Sequence, residues 1–414
     1  MTDTPWLTII GLHEDGLEAL SSDAVICLNE ADVIMAPPRH LSHLDNVAPT
    51  VALKPDIYIV EWPVPYDTGI SQLLAMRGRQ VVVLASGDPF HYGAGTSITR
   101  HLGADEWQCF PAPSSFSLIA SALGWPLEIT PQIGLHARAV ETLCPYLADK
   151  TRIIVLLRDN AAITLLAEYL TAQGFGDSIC HIFSQLTTTQ NSYISHQAAS
   201  ISDQQFDPPL AAGIELVSAR PSMPLASGRP DELFIHDGQI TKQLIRAMTL
   251  SVLAPRAGQH LLDIGSGSGS IACEWMLTHP SLTATAIEIR ADRAETIAGN
   301  AAQLGLDRLE LITGDISDHL EMVDKADTVF IGGGLTAELL DAVWDRLGAG
   351  RMLVINAVTA ESEALVISAH GRYGGKMSKI ELSDLAPIGR KHGWKSRYPI
   401  VQWVVTKPAG GISR

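Results

Sequence analysis

An apolar strand that breaks into three glycines constrains this chain more than any other stretch. The run is His260-Leu261-Leu262-Asp263-Ile264-Gly265-Ser266-Gly267-Ser268-Gly269-Ser270, and the residues after it, Ile271 to Leu277, have helical spacing. A strand that turns into a helix on small residues leaves backbone N–H groups pointing outward with no bulk in front of them. That is an α/β feature and a place for a ligand. The spacing Asp-x-Gly-x-Gly-x-Gly differs from the Gly-x-Gly-x-x-Gly pattern that cradles a dinucleotide pyrophosphate. Asp263 stands beside the glycines, where negative charge suits a ligand with an amino group and no phosphate. Two further acids fall in register. The segment 283–288 reads as a second strand ending in Glu288, whose carboxylate is able to accept both hydroxyls of a ribose. The segment 309–313 reads as a third, with Asp315 just beyond it, placed to meet an adenine amino group.

Three acids and three glycines in this order resemble the S-adenosylmethionine (SAM) site of the Rossmann-like methyltransferases. The resemblance implies cofactor binding by Asp263, Gly265, Gly267, Gly269, Glu288 and Asp315, and by Gly332 and Gly333 at the end of a further strand. The rest of the second half fits a seven-stranded methyltransferase sheet. Helices are expected near 291–304, 337–347 and 360–370, and strands near 328–331, 352–356, 379–382 and 400–405.

The first half has its own pattern. Strands are expected at 7–11, 32–35, 56–60 and 80–85, and the last is apolar throughout, as in a parallel sheet buried on both faces. It runs into Ser86-Gly87-Asp88-Pro89-Phe90, a ligand loop at the carboxyl end of a strand. A second subdomain is expected from Pro111-Ala112-Pro113-Ser114-Ser115, with strands at 152–157, 179–183 and 210–217. Together with Ile9-Ile10-Gly11 and Gly134-Leu135-His136-Ala137-Arg138, these segments resemble the tetrapyrrole (corrin-type) methylases over nearly all of residues 6–218. The resemblance implies a second, different SAM site, folded into a cleft between two α/β subdomains. Gly11, Gly87, Asp88, Ser114, Ser115, Leu157, Ala212 and Gly213 are expected near it, and His136 is a candidate catalytic residue. His13 and Ala137 stand where that family usually has glycine.

The fold class is therefore α/β: a two-subdomain tetrapyrrole methylase fold followed by a seven-stranded Rossmann-like class I SAM methyltransferase. The expected domains are 1–218 and 236–414. Pro221, Pro224, Gly228 and Pro230 give 219–235 the composition of a linker.

The segment 231–246 holds Asp231-x-x-Phe234 and Thr241-Lys242-x-x-x-Arg246, and resembles the approach segment of the precorrin-6 decarboxylating methylases. That resemblance implies methylation of precorrin-6B at ring carbons 5 and 15 and loss of carbon dioxide from the C12 acetate, giving precorrin-8, as a step of cobalamin synthesis. The first half would methylate C5, and the second C15 with decarboxylation. Whether the substrate carries cobalt is left open. Thr241 is assigned to the cofactor. Lys242, Arg246 and Glu274 are the catalytic candidates of the second half. Lys242 and Arg246, with Arg390, Lys391, Lys395 and Arg397, are candidates to hold substrate carboxylates by charge-assisted bonds, and Glu274 is a candidate proton donor.

Bulk properties narrow the alternatives. The net charge is −16. Residues 1–218 hold 9 Lys and Arg against 23 Asp and Glu, whereas 372–414 hold 9 against 2. Such acidity argues against a nucleic-acid partner, and no Asn/Asp-Pro-Pro-aromatic motif follows Ile331. The five cysteines lack metal-ligand or redox spacing. No leader or membrane span is visible, so a cytoplasmic enzyme is expected. The resemblance further implies a homo-oligomer, a tetramer through the second half. A non-enzymatic SAM-binding regulator is the remaining class, and two separate cofactor motifs weigh against it.

Overall fold

A computed structural model describes residues 5–45, 49–187, 193–201 and 205–409. The chain divides into two compact units. The first comprises 1–140 and 148–221, and the second 141–147 and 222–414.

The first unit holds two five-stranded sheets. In the first sheet the strands Leu7–Leu12, Val33–Ala36, Tyr58–Glu61, Val81–Ser86 and Trp107–Phe110 are all parallel. Leu7–Leu12 and Val81–Ser86 are central neighbours, paired from Leu7 with Val81 to Leu12 with Ser86. Their side chains are buried on both faces, which explains the unbroken apolar runs. The second sheet is mixed. Arg152–Leu157 and Ile179–Ser184 flank Leu210–Glu215 in antiparallel pairing. Trp107–Phe110 and the outer strand Tyr193–Gln197 are short and carry no apolar alternation that marks them in the sequence.

The second unit is built on a seven-stranded sheet. Its order is Leu309–Thr313, Thr283–Glu288, His260–Ile264, Thr328–Ile331, Met352–Ala357, Ile400–Thr406, Lys376–Ile380. The first five are parallel, and Ile400–Thr406 runs antiparallel between its two neighbours. The order reverses at His260–Ile264, so the glycine turn stands at the topological switch point, where open α/β sheets bind ligands. An exposed hairpin, Ser383–Ile388 with Lys391–Ser396, adds two strands that the charged sequence there conceals. Among the described residues no helix is long and apolar enough to cross a membrane.

Two expectations change. Within the expected linker 219–235, residues 228–235 are packed on the core: the Gly228 and Arg229 N–H groups donate to the buried Glu274 carboxylate at 2.7 and 2.9 Å, and Phe234 joins the core. Proline and glycine there set the path of a packed segment. Residues 141–147 group with the second unit, where Cys144 packs on the core and the Glu141 carbonyl lies 2.2 Å from where a Cβ on Gly305 would stand.

Candidate functional sites

The second unit carries a cavity of about 390 Å³ at the glycine turn. His260–Ile264 ends on Gly265, and Gly265, Gly267 and Gly269 all take positive φ (66°, 60° and 72°) before the helix Ser270–Leu277 begins. Gly265 has a second reason to lack a side chain: a Cβ there would lie 2.5 Å from the Gly333 carbonyl oxygen. Gly265, Gly267, Gly332 and Gly333 line the cavity, with Thr241 and Lys242 on another wall. Gly269 lies behind them against Ile297.

Two of the acids, Asp263 and Glu288, are buried behind the glycine turn, and neither lines the cavity itself. Glu288 is buried and accepts the Gly267 N–H at 2.8 Å and the Arg290 N–H at 3.0 Å, one on each carboxylate oxygen. Each oxygen keeps a lone pair for a ligand hydroxyl. Asp263 is buried, with Oδ2 accepting the Ala272 N–H at 3.3 Å and Oδ1 without a partner. Burial, reinforced by the Glu288 charge, pushes its carboxyl up to about 7. An orphaned buried carboxylate oxygen beside open glycine backbone fits a ligand that brings an N–H donor. Asp315 follows the neighbouring strand, is exposed, and spends an oxygen capping the turn at Ser317; it does not line the cavity.

Arg246 and Glu274 are corrected by their burial. Both side chains are fully buried, and Arg246 Nε donates to Glu274 at 2.6 Å. Arg246 also donates to the Thr241 and Arg229 carbonyls. Glu274 bonds both Arg246 and the Gly228–Arg229 backbone, so the pair is a clamp beneath the wall and neither residue lines the cavity. Arg390, Lys391 and Lys395 do not line it either. Three cations do: Lys242, Arg293 and Arg397. Arg293 is held by Asp237 at 2.9 Å and Arg397 by Asp384 at 2.5 and 2.8 Å, whereas Lys242 stands 3.8 Å from Asp231. Lys242 is thus the most weakly held of the three. The sequence did not single out Arg293, Asn356 or Tyr398, which also line the cavity.

The first unit carries a cleft of about 750 Å³ at the carboxyl ends of its strands. Gly87 (φ 54°), Asp88, Ser114, Ser115, Leu157 and His136 line it. Asp88 accepts the Phe90 N–H at 2.9 Å and so shapes the loop, and Ser114 caps the helix Ser115–Leu123. Burial lowers the His136 pKa, which keeps the ring neutral. Gly11 lies behind the wall, where a Cβ would stand 2.0 Å from the Gly87 carbonyl oxygen; it permits the cleft rather than facing it. Ala212 and Gly213 are corrected by one or two residues. Leu210 and Ala211, at the start of the strand, line the cleft, while Gly213, further along on the face of Ala211, makes room for Leu123 and Trp125. His13, Arg39 and His40 also line it. The rule that ligands sit beyond strand carboxyl ends would have found Arg39 and His40, which follow Val33–Ala36 after two prolines.

Two family models match the chain. Residues 7–201 match the family model of Tetrapyrrole (Corrin/Porphyrin) Methylases, and residues 232–407 match that of the Precorrin methyltransferase domain. A precorrin-6Y C(5,15)-methyltransferase [decarboxylating] of Sinorhizobium sp is 38% identical over 407 residues, covering 98% of this chain and 97% of the relative. A cobalt-precorrin-6B C(15)-methyltransferase (decarboxylating) of Salmonella typhimurium is 32% identical over 177 residues, covering 41% of this chain and 91% of the relative. The crystal structure of the C-terminal domain of a precorrin-6Y C5,15-methyltransferase from Rhodobacter capsulatus is 43% identical, covers 45% of this chain and 100% of that one, and superposes with a TM-score of 0.43.

Proposed function

The chain belongs to the decarboxylating precorrin-6Y C(5,15)-methyltransferase family, and from that premise we propose how its two sites share the work. It is a SAM-dependent methyltransferase of cobalamin biosynthesis that methylates and decarboxylates a precorrin. In our reading residues 1–218 methylate C5, and residues from 236 onward methylate C15 and release carbon dioxide from the C12 acetate. The observation that carries this reading is the presence of two separate ligand cavities, one in each unit, with unrelated walls. The Salmonella relative adds support, since its name couples C15 methylation to decarboxylation in a match the length of one unit.

SAM brings an electrophilic methyl group on a sulfonium, so the protein's task is alignment and exclusion of water. In the second site Glu288 would take the ribose hydroxyls and Asp263 Oδ1 the amino group, with Gly265, Gly267, Gly332 and Gly333 giving close approach. Lys242 would hold a substrate carboxylate, and the macrocycle itself accepts the electrons that decarboxylation releases. In the first site the Gly87–Asp88 loop, Ser114, Ser115 and Leu157 would hold the cofactor, with His136 neutral beside the substrate.

Mass spectrometry of precorrin-6B incubated with SAM and the whole chain tests the function. The expected product has gained two methyl groups and lost one carbon dioxide; unchanged mass with both the cobalt-free and cobalt-loaded substrates would sink it. Lys242→Ala is expected to raise the KM for the precorrin by about tenfold, the worth of one charged hydrogen bond, without weakening SAM.

A pH effect follows from Asp263. Its carboxyl, raised to about 7, is mostly protonated below that pH and carries no charge to meet an ammonium. SAM affinity at the second site should therefore rise as pH increases through about 7 and level off above it. Asp263→Asn should flatten the profile, measured by calorimetric titration. Cytoplasmic location and assembly as a homo-tetramer through the second unit belong to the same proposal, and analytical ultracentrifugation checks the assembly.

A further inference from the structure

The first cleft has a charge problem. Residues 1–218 hold 9 Lys and Arg against 23 Asp and Glu, yet a precorrin is a polycarboxylate. Among the described residues that line the cleft, Arg39 is the one lysine or arginine. It sits in the turn Pro38–Leu41, immediately past Val33–Ala36. Its Nη2 donates to Ser86 Oγ at 2.7 Å, and Nη1 lies 3.6 Å from Glu14. The same Nη2 lies 3.5 Å from His40 Nε2, at the limit of hydrogen bonding, and a guanidinium has five N–H donors, more than these neighbours use.

His40 fixes what Ser86 does. The ring is 1% exposed, and its Nε2 lies 3.0 Å from the same Ser86 Oγ. Burial first, then the charge of Arg39, pushes its pKa down to about 3, so the ring is neutral and has one N–H. Its Nδ1 is buried without a partner. Placing the N–H on Nε2 leaves only a lone pair unpaired, which costs less than burying an unpaired donor. Ser86 Oγ then accepts from Arg39 and from His40, and its own hydroxyl hydrogen must find an acceptor in the cleft that Ser86 lines. A guanidinium and a hydroxyl donor thus stand side by side on the wall, a pairing suited to a carboxylate.

We propose that Arg39, together with Ser86 oriented by His40, is the subsite that grips one carboxylate arm of the tetrapyrrole in the first cleft. The subsite rests on the reading of that cleft as a precorrin methylation site. His40 is a positioning residue, because it acts through Ser86.

The test uses the full chain with precorrin-6B and SAM, with methyl groups counted by mass and SAM binding measured separately. Arg39→Gln is expected to raise the KM of the first-cleft methylation on the order of 10- to 100-fold, with the rate at saturation and the SAM dissociation constant each kept within about twofold. Arg39→Lys should restore part of the loss. Ser86→Ala, which removes one oxygen and risks little in folding, should raise the same KM several-fold. An unchanged KM in both Arg39→Gln and Ser86→Ala overturns the subsite, as does a loss of SAM affinity that matches the rise in KM, which would assign Arg39 to the cofactor. A wild-type chain that adds a single methyl group overturns the reading of the cleft and the subsite with it.

Discussion

Glu274→Ala should melt the second unit about 10 °C or more below the wild type. Glu274 looks like a catalytic acid in the sequence, one helical turn past the glycines, but its surroundings are those of a keystone. It is fully buried against two buried arginines, accepting from Arg246 Nε at 2.6 Å and from the Arg229 N–H at 2.9 Å, with the Arg229 guanidinium at 3.5 Å. Removing the carboxylate takes the shared counter-charge from both guanidiniums and leaves Arg246 with Asp231 alone, at 3.0 Å, and breaking a buried pair costs about 3–5 kcal/mol. Each kcal/mol shifts the midpoint of a domain this size by roughly 2–4 °C. Glu274→Gln keeps the shape and one acceptor and should fall between the two. Because Arg246 also holds the Thr241 carbonyl at the cavity wall, SAM affinity at the second site should weaken in step. Thermal unfolding followed by calorimetry measures this. An unchanged melting temperature with decarboxylation abolished would return Glu274 to the chemistry.

Gly265→Ala should remove SAM from the second site while sparing the first. The residue is held at φ 66°, a region that costs an L-residue on the order of 1–3 kcal/mol. Its new Cβ would also stand 2.5 Å from a backbone oxygen of Gly333, which has no flexible end to yield. The Gly265 N–H is tied to the Ile287 carbonyl at 3.0 Å, so the turn has little freedom to shift. Affinity should fall on the order of 100-fold or more at 1.4 kcal/mol per decade. Calorimetric stoichiometry should drop from two SAM per chain to one. Gly267→Ala meets no protein atom within 4 Å of its Cβ, so in folding it should cost only the φ strain, about 1–2 kcal/mol. Equal losses of thermal stability from the two substitutions would contradict this account of the turn.

The contrast between these residues explains what the sequence discloses. The glycine turn is legible because its chemistry is local: strand, positive φ and helix are all written within eleven residues. The seven-stranded sheet around it follows from the methyltransferase resemblance, and the order of its strands comes from the structure alone. Arg246 and Glu274 are misread because charge in a motif suggests a ligand, and only the tertiary structure reveals that the two bury each other. The segment 228–235 is misread for a related reason. Proline and glycine signal irregular backbone, which here is packed on the core. At Ala212 and Gly213 the strand is right but the place along it is wrong: residues two apart share a face, and Leu210 and Ala211, at the start of the strand, are the ones that reach the cleft. Arg39 and His40 escaped notice because Pro37-Pro38 reads simply as a strand stop.

The central claim is that each unit transfers one methyl group and that decarboxylation belongs to the second. The most direct measurement is the mass of the products that two full-length variants make from precorrin-6B and SAM. Gly11→Ala drives a Cβ to 2.0 Å from the Gly87 carbonyl oxygen and should close the first site, and Gly265→Ala should close the second. The account predicts that Gly11→Ala yields a product with one added methyl group and one carbon dioxide lost, whereas Gly265→Ala yields a product that keeps every carboxylate. Decarboxylation that survives Gly265→Ala and disappears in Gly11→Ala would contradict it.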